Sequence, residues 1–284
     1  MESTTKRNPL TSHFRQPAIF IKLPSRGRWW ADGALEMPEN QELAVYPMST
    51  RDEIILKTPD ALLNGQGIVS VIQSCCPGIK NAWAMPGVDV DTVLIAVRIA
   101  SFGNNMEFDS KCPHCGEENT HEIDLTVPLS QISSPDYSDR VVIQDLSIKL
   151  RPQTYFDVNR GNTVAFEEEK LANALNLPES VPAEEKAKLL EESMARLADY
   201  NVQAVAKSIE YIDISSDERV TDQGFIVEYL QNAGGEVVRT IQTKLVEYAN
   251  QIKIKPVNLQ CNDCTKPYSV DLTFDYSSFF GKSS

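Results

Sequence analysis

Apolar and polar positions alternate with two different periods along this chain, and the changes of period mark its elements. Residues 18–23 and 43–46 are short runs rich in β-branched and aromatic side chains, bounded by turn residues, and predict two strands. From Thr50 the spacing lengthens. Thr50-Arg-Asp-Glu53 has the form of a capping box, in which a hydroxyl and a carboxylate satisfy the unpaired amides of a first helical turn. It predicts a helix to about Leu63, stopped by Asn64-Gly65. Ile68, Val69, Val71 and Ile72 predict a second helix reaching Cys75-Cys76 before Pro77-Gly78. Val93, Leu94, Val97 and Ile99 predict a third that starts after Asp89 or Asp91 and closes at Gly103. Residues 140–144 and 147–150 alternate as a hairpin does. Beyond Thr154 the helical period takes over, with helices over 154–176 and 183–212 flanking a proline-containing linker at 177–182. Leu190, Met194, Leu197, Val205 and Ile209 form one stripe on the longer of these. A short helix capped by Asp222 and ending near Gly234-Gly235 precedes a last one over 236–252.

Two segments carry chemistry: Cys112-Pro-His-Cys115-Gly and Cys261-Asn-Asp-Cys264. Two residues between cysteines let both thiolates of a knuckle face one ion, and two such pairs complete the four-sulfur tetrahedron that zinc prefers. Each knuckle is followed by an alternating segment, at 121–126 and 268–273, so each reads as a turn leading into a strand. Together they have the form of a zinc ribbon, with Cys112, Cys115, Cys261 and Cys264 as ligands of a structural Zn2+. The 145 residues between the inner cysteines far exceed the gap of about 15–20 in compact sites. The intervening chain must therefore leave and return at one place, as an insertion on a zinc-clamped neck. The competing reading is two unrelated cysteine pairs without metal, and the matching strands argue against it. His114 and His121 are alternative ligands for one sulfur position, or else a turn residue and an exposed strand residue. Four thiolates leave no open position for water or substrate, which separates this pattern from a catalytic metal.

The fold class expected is α+β. A basic, flexible N-terminal arm (1–17) leads into a mixed domain (18–105), followed by the first knuckle and hairpin (106–152). A mainly helical insertion (153–253) and the second knuckle with a C-terminal strand (254–284) complete the chain.

Composition narrows the function. Hydrophobic residues make up 42% and charged residues 24%, as in ordinary globular proteins. No apolar run approaches the roughly 18 residues needed to cross a bilayer, and the N-terminus has no signal-peptide core, so the protein is expected in the cytoplasm. Cys75 and Cys76 are expected to be buried packing thiols. The net charge of −13 is unevenly spread: residues 1–30 hold six basic residues and one acid. The acidic remainder repels phosphate backbones. Arg7, Arg15, Arg26 and Arg28 of the basic stretch are candidate contacts for an acidic partner. Trp29 and Trp30 join them, because on an extended chain one ring enters the core and the other faces outward. The three histidines form no triad or metalloprotease helix, and no phosphate-binding loop is present, so no enzyme is expected.

Four segments occur in a telling order: Ile21-Lys-Leu-Pro-Ser-Arg-Gly27, Tyr46-Pro-Met-Ser-Thr-Arg-Asp-Glu53, Val97-Arg-Ile-Ala-Ser-Phe-Gly103 and Cys112-Pro-His-Cys115-Gly116. Over residues 17–150 the chain resembles the baseplate hub assembly proteins of T-even-type contractile-tailed bacteriophages. The resemblance implies a tail protein that binds other tail proteins, either as a hub component or as a chaperone for the hub and its tape-measure protein. It implies no catalytic residue, and a location in the host cytoplasm during assembly or in the virion's tail baseplate. The inserted helices and second knuckle fall outside the resembling part and would make an added interface. The alternative is a zinc-ribbon nucleic-acid-binding regulatory protein, whose expected basic surface is contradicted by Glu117, Glu118, Glu122, Asp124, Asp263 and Asp271 around the knuckles.

Overall fold

The first two strands, β1 (Ile19–Ile21) and β2 (Leu43–Val45), pair antiparallel with Ile21 opposite Leu43, and their inward side chains open the N-terminal core. The computed structural model describes residues 8–58, 65–175, 183–272 and 279–280. Helix α1 (Thr50–Leu56) begins one residue earlier in cap register than expected. Ser49 is the cap, its hydroxyl accepting from the Asp52 amide and Asp52 accepting from the Ser49 amide. The shift follows from burial: Asp52 is drawn inside by Ser74 and Arg15, while Glu53 faces solvent. The helix also ends at Leu56 rather than near Leu63, where the Lys57 and Thr58 amides turn back on Ile54 and Ile55; residues 59–64 lie outside the described residues.

Helix α2 (Gln66–Cys75) starts at Gly65, whose φ of 74° and tight contact with Asn159 and Trp83 leave no room for a Cβ. Helix α3 (Gly87–Phe102) has Pro86 at its N-cap, ahead of the expected start after Asp89 or Asp91, and ends at Gly103 with φ 87°. Instead of one stripe, α3 buries side chains all round, from Val88 through Ile99. Such a helix belongs in the middle of a core. Most of it packs in the N-terminal core, while Val88 belongs to a second. Cys75 and Cys76 are fully buried, and burial pushes the Cys75 thiol up to about 12.

Strands β3 (Asn105–Lys111) and β4 (Glu118–Asp124) form the first knuckle's hairpin, followed by the short helix α4 (Thr126–Gln131). The second core is built on a four-stranded antiparallel sheet of β5 (Arg140–Ile143), β6 (Leu146–Leu150), β7 (Ile209–Asp213) and β8 (Arg219–Val220). Val141, Ile148, Ile212 and Val220 stand opposite one another across it and form its apolar row. Helices α5 (Tyr155–Leu175), α6 (Ala183–Lys207), α7 (Gln223–Asn232) and α8 (Gly235–Ile252) complete the segment. Asp222 caps α7 as expected, and the linker at 177–182 lies outside the described residues.

The helix expected over 183–212 stops at Lys207, and its last residues form β7. Ile209 and Ile212 are buried in the second core only if the chain turns at Ser208 and pairs with β6, and that non-local ladder overrides the helical spacing. The stripe is buried only at its C-terminal end: Val205 is buried, whereas Leu190 and Met194 are exposed.

The tryptophan pair also departs from expectation. Trp29 has φ 66°, so the chain turns there instead of extending. Neither ring faces outward freely. Trp29 packs edge-on against Tyr137 in the second core, and Trp30 packs on the first core with its indole N–H donating to Asp89 at 2.9 Å. Adjacent residues thus pin the two cores together.

After α8 the chain returns through β9 (Val257–Gln260) and β10 (Pro267–Val270), the second knuckle's hairpin. Phe279 and Phe280 then enter the N-terminal core, where Arg98 donates to the Phe279 carbonyl at 3.1 Å.

Candidate metal centre

Each knuckle is the tip of a two-stranded hairpin, and the same pair of backbone bonds shapes both. Cys112 N–H donates to the Glu117 carbonyl and Gly116 N–H to the Cys112 carbonyl; Cys261 N–H donates to Lys266 and Thr265 N–H to Cys261. Gly116 (φ 80°) and Thr265 (φ 61°) occupy the equivalent left-handed position. The strand before each knuckle carries few apolar residues, and the sequence pattern announced only the strand after it.

The hairpins place Cys112, Cys115, Cys261 and Cys264 with all four sulfurs within 4.8 Å of one another. Cys112 and Cys264 sulfurs are 3.7 Å apart, and those of Cys115 and Cys261 3.6 Å. A tetrahedron with Zn–S bonds of about 2.3 Å has edges of about 3.8 Å, so the cross-knuckle distances fit a metal-centred shell, and all are far beyond a disulfide bond of about 2.05 Å. Cys112 and Cys261 are buried, Cys264 is half-buried and Cys115 is exposed.

Crowding four sulfurs creates an electrostatic conflict. Cys261 is lowered to about 6, chiefly by the Cys264 amide, with Asp263, Cys115 and Asn119 adding to this against the cost of burial. Cys115 is pushed up to about 12: the Glu117 amide favours its thiolate, but desolvation and the other three cysteines outweigh it. Four thiolates cannot coexist here without a cation, and a divalent ion that displaces the protons removes the conflict.

Other bonds stitch the hairpins together. Asn119, in β4, is 3% exposed; its carbonyl accepts from the Asn262 amide at 2.7 Å, and its NH2 donates to the Glu117 carbonyl at 3.0 Å and the Cys261 sulfur at 3.6 Å. This residue went unnoticed in the sequence, although an asparagine at an inward position of an alternating strand beside a ligand is the signal to look for. His121 and Ser110 both bond the Tyr268 hydroxyl, and the His114 ring reaches the Pro267 carbonyl at 3.2 Å. Both histidines therefore bridge the hairpins and stay out of the sulfur cluster.

The basic candidates sit in different surroundings. Arg7 lies outside the described residues. Arg15, expected on a mobile arm, donates to the Pro47 carbonyl, Asp52, and the Ser74 carbonyl and hydroxyl, and Asn8 caps a short 3-10 helix just before it. Arg26 and Arg28 are exposed, with Arg28 bonded to the Ser25 carbonyl and lying over the Trp29 ring.

A family model described as T4 bacteriophage base plate protein matches residues 33–281. The chain belongs to that family. The match takes in both knuckles and most of both cores, so the baseplate character inferred from residues 17–150 extends through the helical insertion. It begins just after the basic stretch and the two tryptophans. Set against curated proteins and solved structures, this baseplate protein matches none. No described helix is long and apolar enough to cross a membrane.

Proposed function

We propose that this baseplate protein is a non-enzymatic component of the contractile-tail baseplate hub, or an assembly chaperone for it. It acts through contacts with hub proteins and the tape-measure protein, in the host cytoplasm during assembly and then at the tail baseplate. One Zn2+ held by Cys112, Cys115, Cys261 and Cys264 fixes the neck between the N-terminal domain and the helical insertion. The observation that carries this reading is the family match running through both knuckles of a four-sulfur cluster. A closed thiolate shell supplies rigidity and no open coordination position, which suits a scaffold. Domain limits at 1–17, 18–105, 106–152, 153–253 and 254–284 follow from placing that neck. Arg7, Arg15, Arg26, Arg28, Trp29 and Trp30 belong to a stretch that contacts other tail proteins, Arg15, Trp29 and Trp30 by holding its shape and the exposed arginines by direct charge.

Quantitative mass spectrometry of purified tails beside infected-cell lysate tests the role. A fixed copy number in tails marks a structural component, and presence only in lysate complexes with hub or tape-measure protein marks a chaperone. Absence from both would defeat the proposal.

A further inference from the structure

The four-stranded sheet of the second core has one open edge. β5 is bonded to β6 alone, and β8 at the opposite edge is only two residues long. Ile143 stands opposite Leu146 across the two-residue turn at Gln144 and Asp145. That pair, and Val141 with Ile148, exchange the ladder bonds, so the alternate residues Arg140 and Val142 direct both of their backbone groups away from the sheet. No backbone bond from another described segment reaches them. Past Arg140 the strand reads Val-Val-Ile, without the proline, lysine or bulge by which natural edges resist pairing, and Val142 is 71% exposed.

A cleft of about 450 Å3 runs along this edge. One wall is the consecutive run from Asp139 to Val141, and no residue of β6 lines it, which sets the cleft on the open side of β5. The other wall is a single stripe of α8: Thr240, Thr243, Lys244 and Glu247. Val237, Ile241 and Tyr248 of the same helix are buried with Val141 in the second core, so helix and strand are held side by side. The space suits one extended segment. A second copy pairing through its own β5 would bring its own α8 over the same cleft. Charge then names the chemistry of the segment. The carboxylates of Asp139, on the strand, and Glu247, on the helix, share one ammonium, Lys244, at 3.8 and 3.1 Å. Arg140 turns its guanidinium to Asp213 and Tyr211 on the sheet's other face. Among the described residues the cleft therefore keeps one unmatched negative charge, and both carboxylate side chains are more than half exposed.

We propose that an extended segment of another tail protein adds to the open edge of β5, with a lysine or arginine inside the cleft at Asp139 and Glu247 and apolar neighbours covering Val142 on the other face. Successive residues of a strand face opposite sides, so the segment must alternate basic with apolar. The inference rests on the baseplate reading for the source of the segment and adds the surface that binds it and the chemistry it carries.

The test uses the full-length, zinc-loaded protein and three fluorescent nine-residue peptides: valine alternating with lysine, valine alternating with glutamate, and the first composition with like residues in adjacent pairs. At low salt the alternating lysine peptide should bind about tenfold more tightly than either of the others and slow amide hydrogen exchange at Arg140 and Val142. Asp139→Lys should cut that binding about tenfold and narrow the preference for lysine over glutamate, with an unchanged melting temperature. Val142→Pro removes an outward N–H that the ladder does not use, so it should weaken both alternating peptides and leave the fold intact. Equal affinity for the three peptides, no binding, protection elsewhere, or edge amides already protected by a second copy in the free protein would overturn the proposal. Each of those failures leaves the tail-proteomics test of the baseplate reading intact.

Discussion

Replacing Asn119 with alanine should loosen the metal site without touching a ligand. The amide is buried and makes its bonds to both knuckles, so the substitution strands the Asn262 amide and the Glu117 carbonyl and removes a donor from the Cys261 sulfur. At about 0.5–1.5 kcal/mol net for each bond the three span about 1.5–4.5 kcal/mol, and the long 3.6 Å contact to sulfur keeps the total near about 2–3 kcal/mol. If most of that loss falls on the metal-bound state, zinc affinity drops by a factor on the order of 10–100, the range typical of residues that orient metal ligands. Asn119→Asp should do no better, since it keeps the acceptor for Asn262 but sets a carboxylate where the donor faced the sulfur. Competition against a chromophoric chelator reads the affinity directly. Zinc held by Asn119→Ala as tightly as by the wild type would refute the stitching role.

Asp89→Asn should destabilise the fold by about 1–3 kcal/mol in urea melts, because the Ser25 amide, Ser25 hydroxyl and Trp30 indole all donate to the carboxylate, and an amide must turn its NH2 toward at least one of them; an unchanged midpoint would contradict this. Arg15→Ala should cost about 1.5–3 kcal/mol by depriving the buried Asp52 of the one cation paired with it among the described residues, measured in the same way. At Asp157, burial disfavours the charge, but hydrogen bonds from Lys207 and Thr154 and the Lys207 charge prevail and hold the carboxyl below the usual range. A depressed folded-state pKa gives stability that is fully present above the ordinary carboxylate value of about 3.9 and is lost as pH falls through the lower folded value. Asp157→Asn should therefore flatten the acid limb of helix loss below about pH 4, followed by circular dichroism, and an unaltered limb would count against the pairing.

What the sequence made legible was local. Cysteine spacing, the Asp222 cap and the Gly103 stop are set by a few neighbouring residues, and the structure realises all of them as read. The failures came where distant partners decide. Ile209 continues a helical stripe by spacing, yet pairing with β6, some 60 positions earlier in the chain, makes it a strand. Ser49 rather than Thr50 caps α1 because Ser74 and Arg15 hold Asp52 inside. Trp29 takes a left-handed turn that no periodicity records, and Asn119 meets a knuckle 143 positions away.

The central claim is that one zinc ion joins the two knuckles, and native mass spectrometry of protein purified without chelator tests it most directly. The account predicts one zinc per wild-type chain, and none in the Cys261→Ser, Cys264→Ser double variant, which should also melt at a lower temperature. A metal-free wild-type chain, or a double variant that keeps its zinc and its melting temperature, would contradict it.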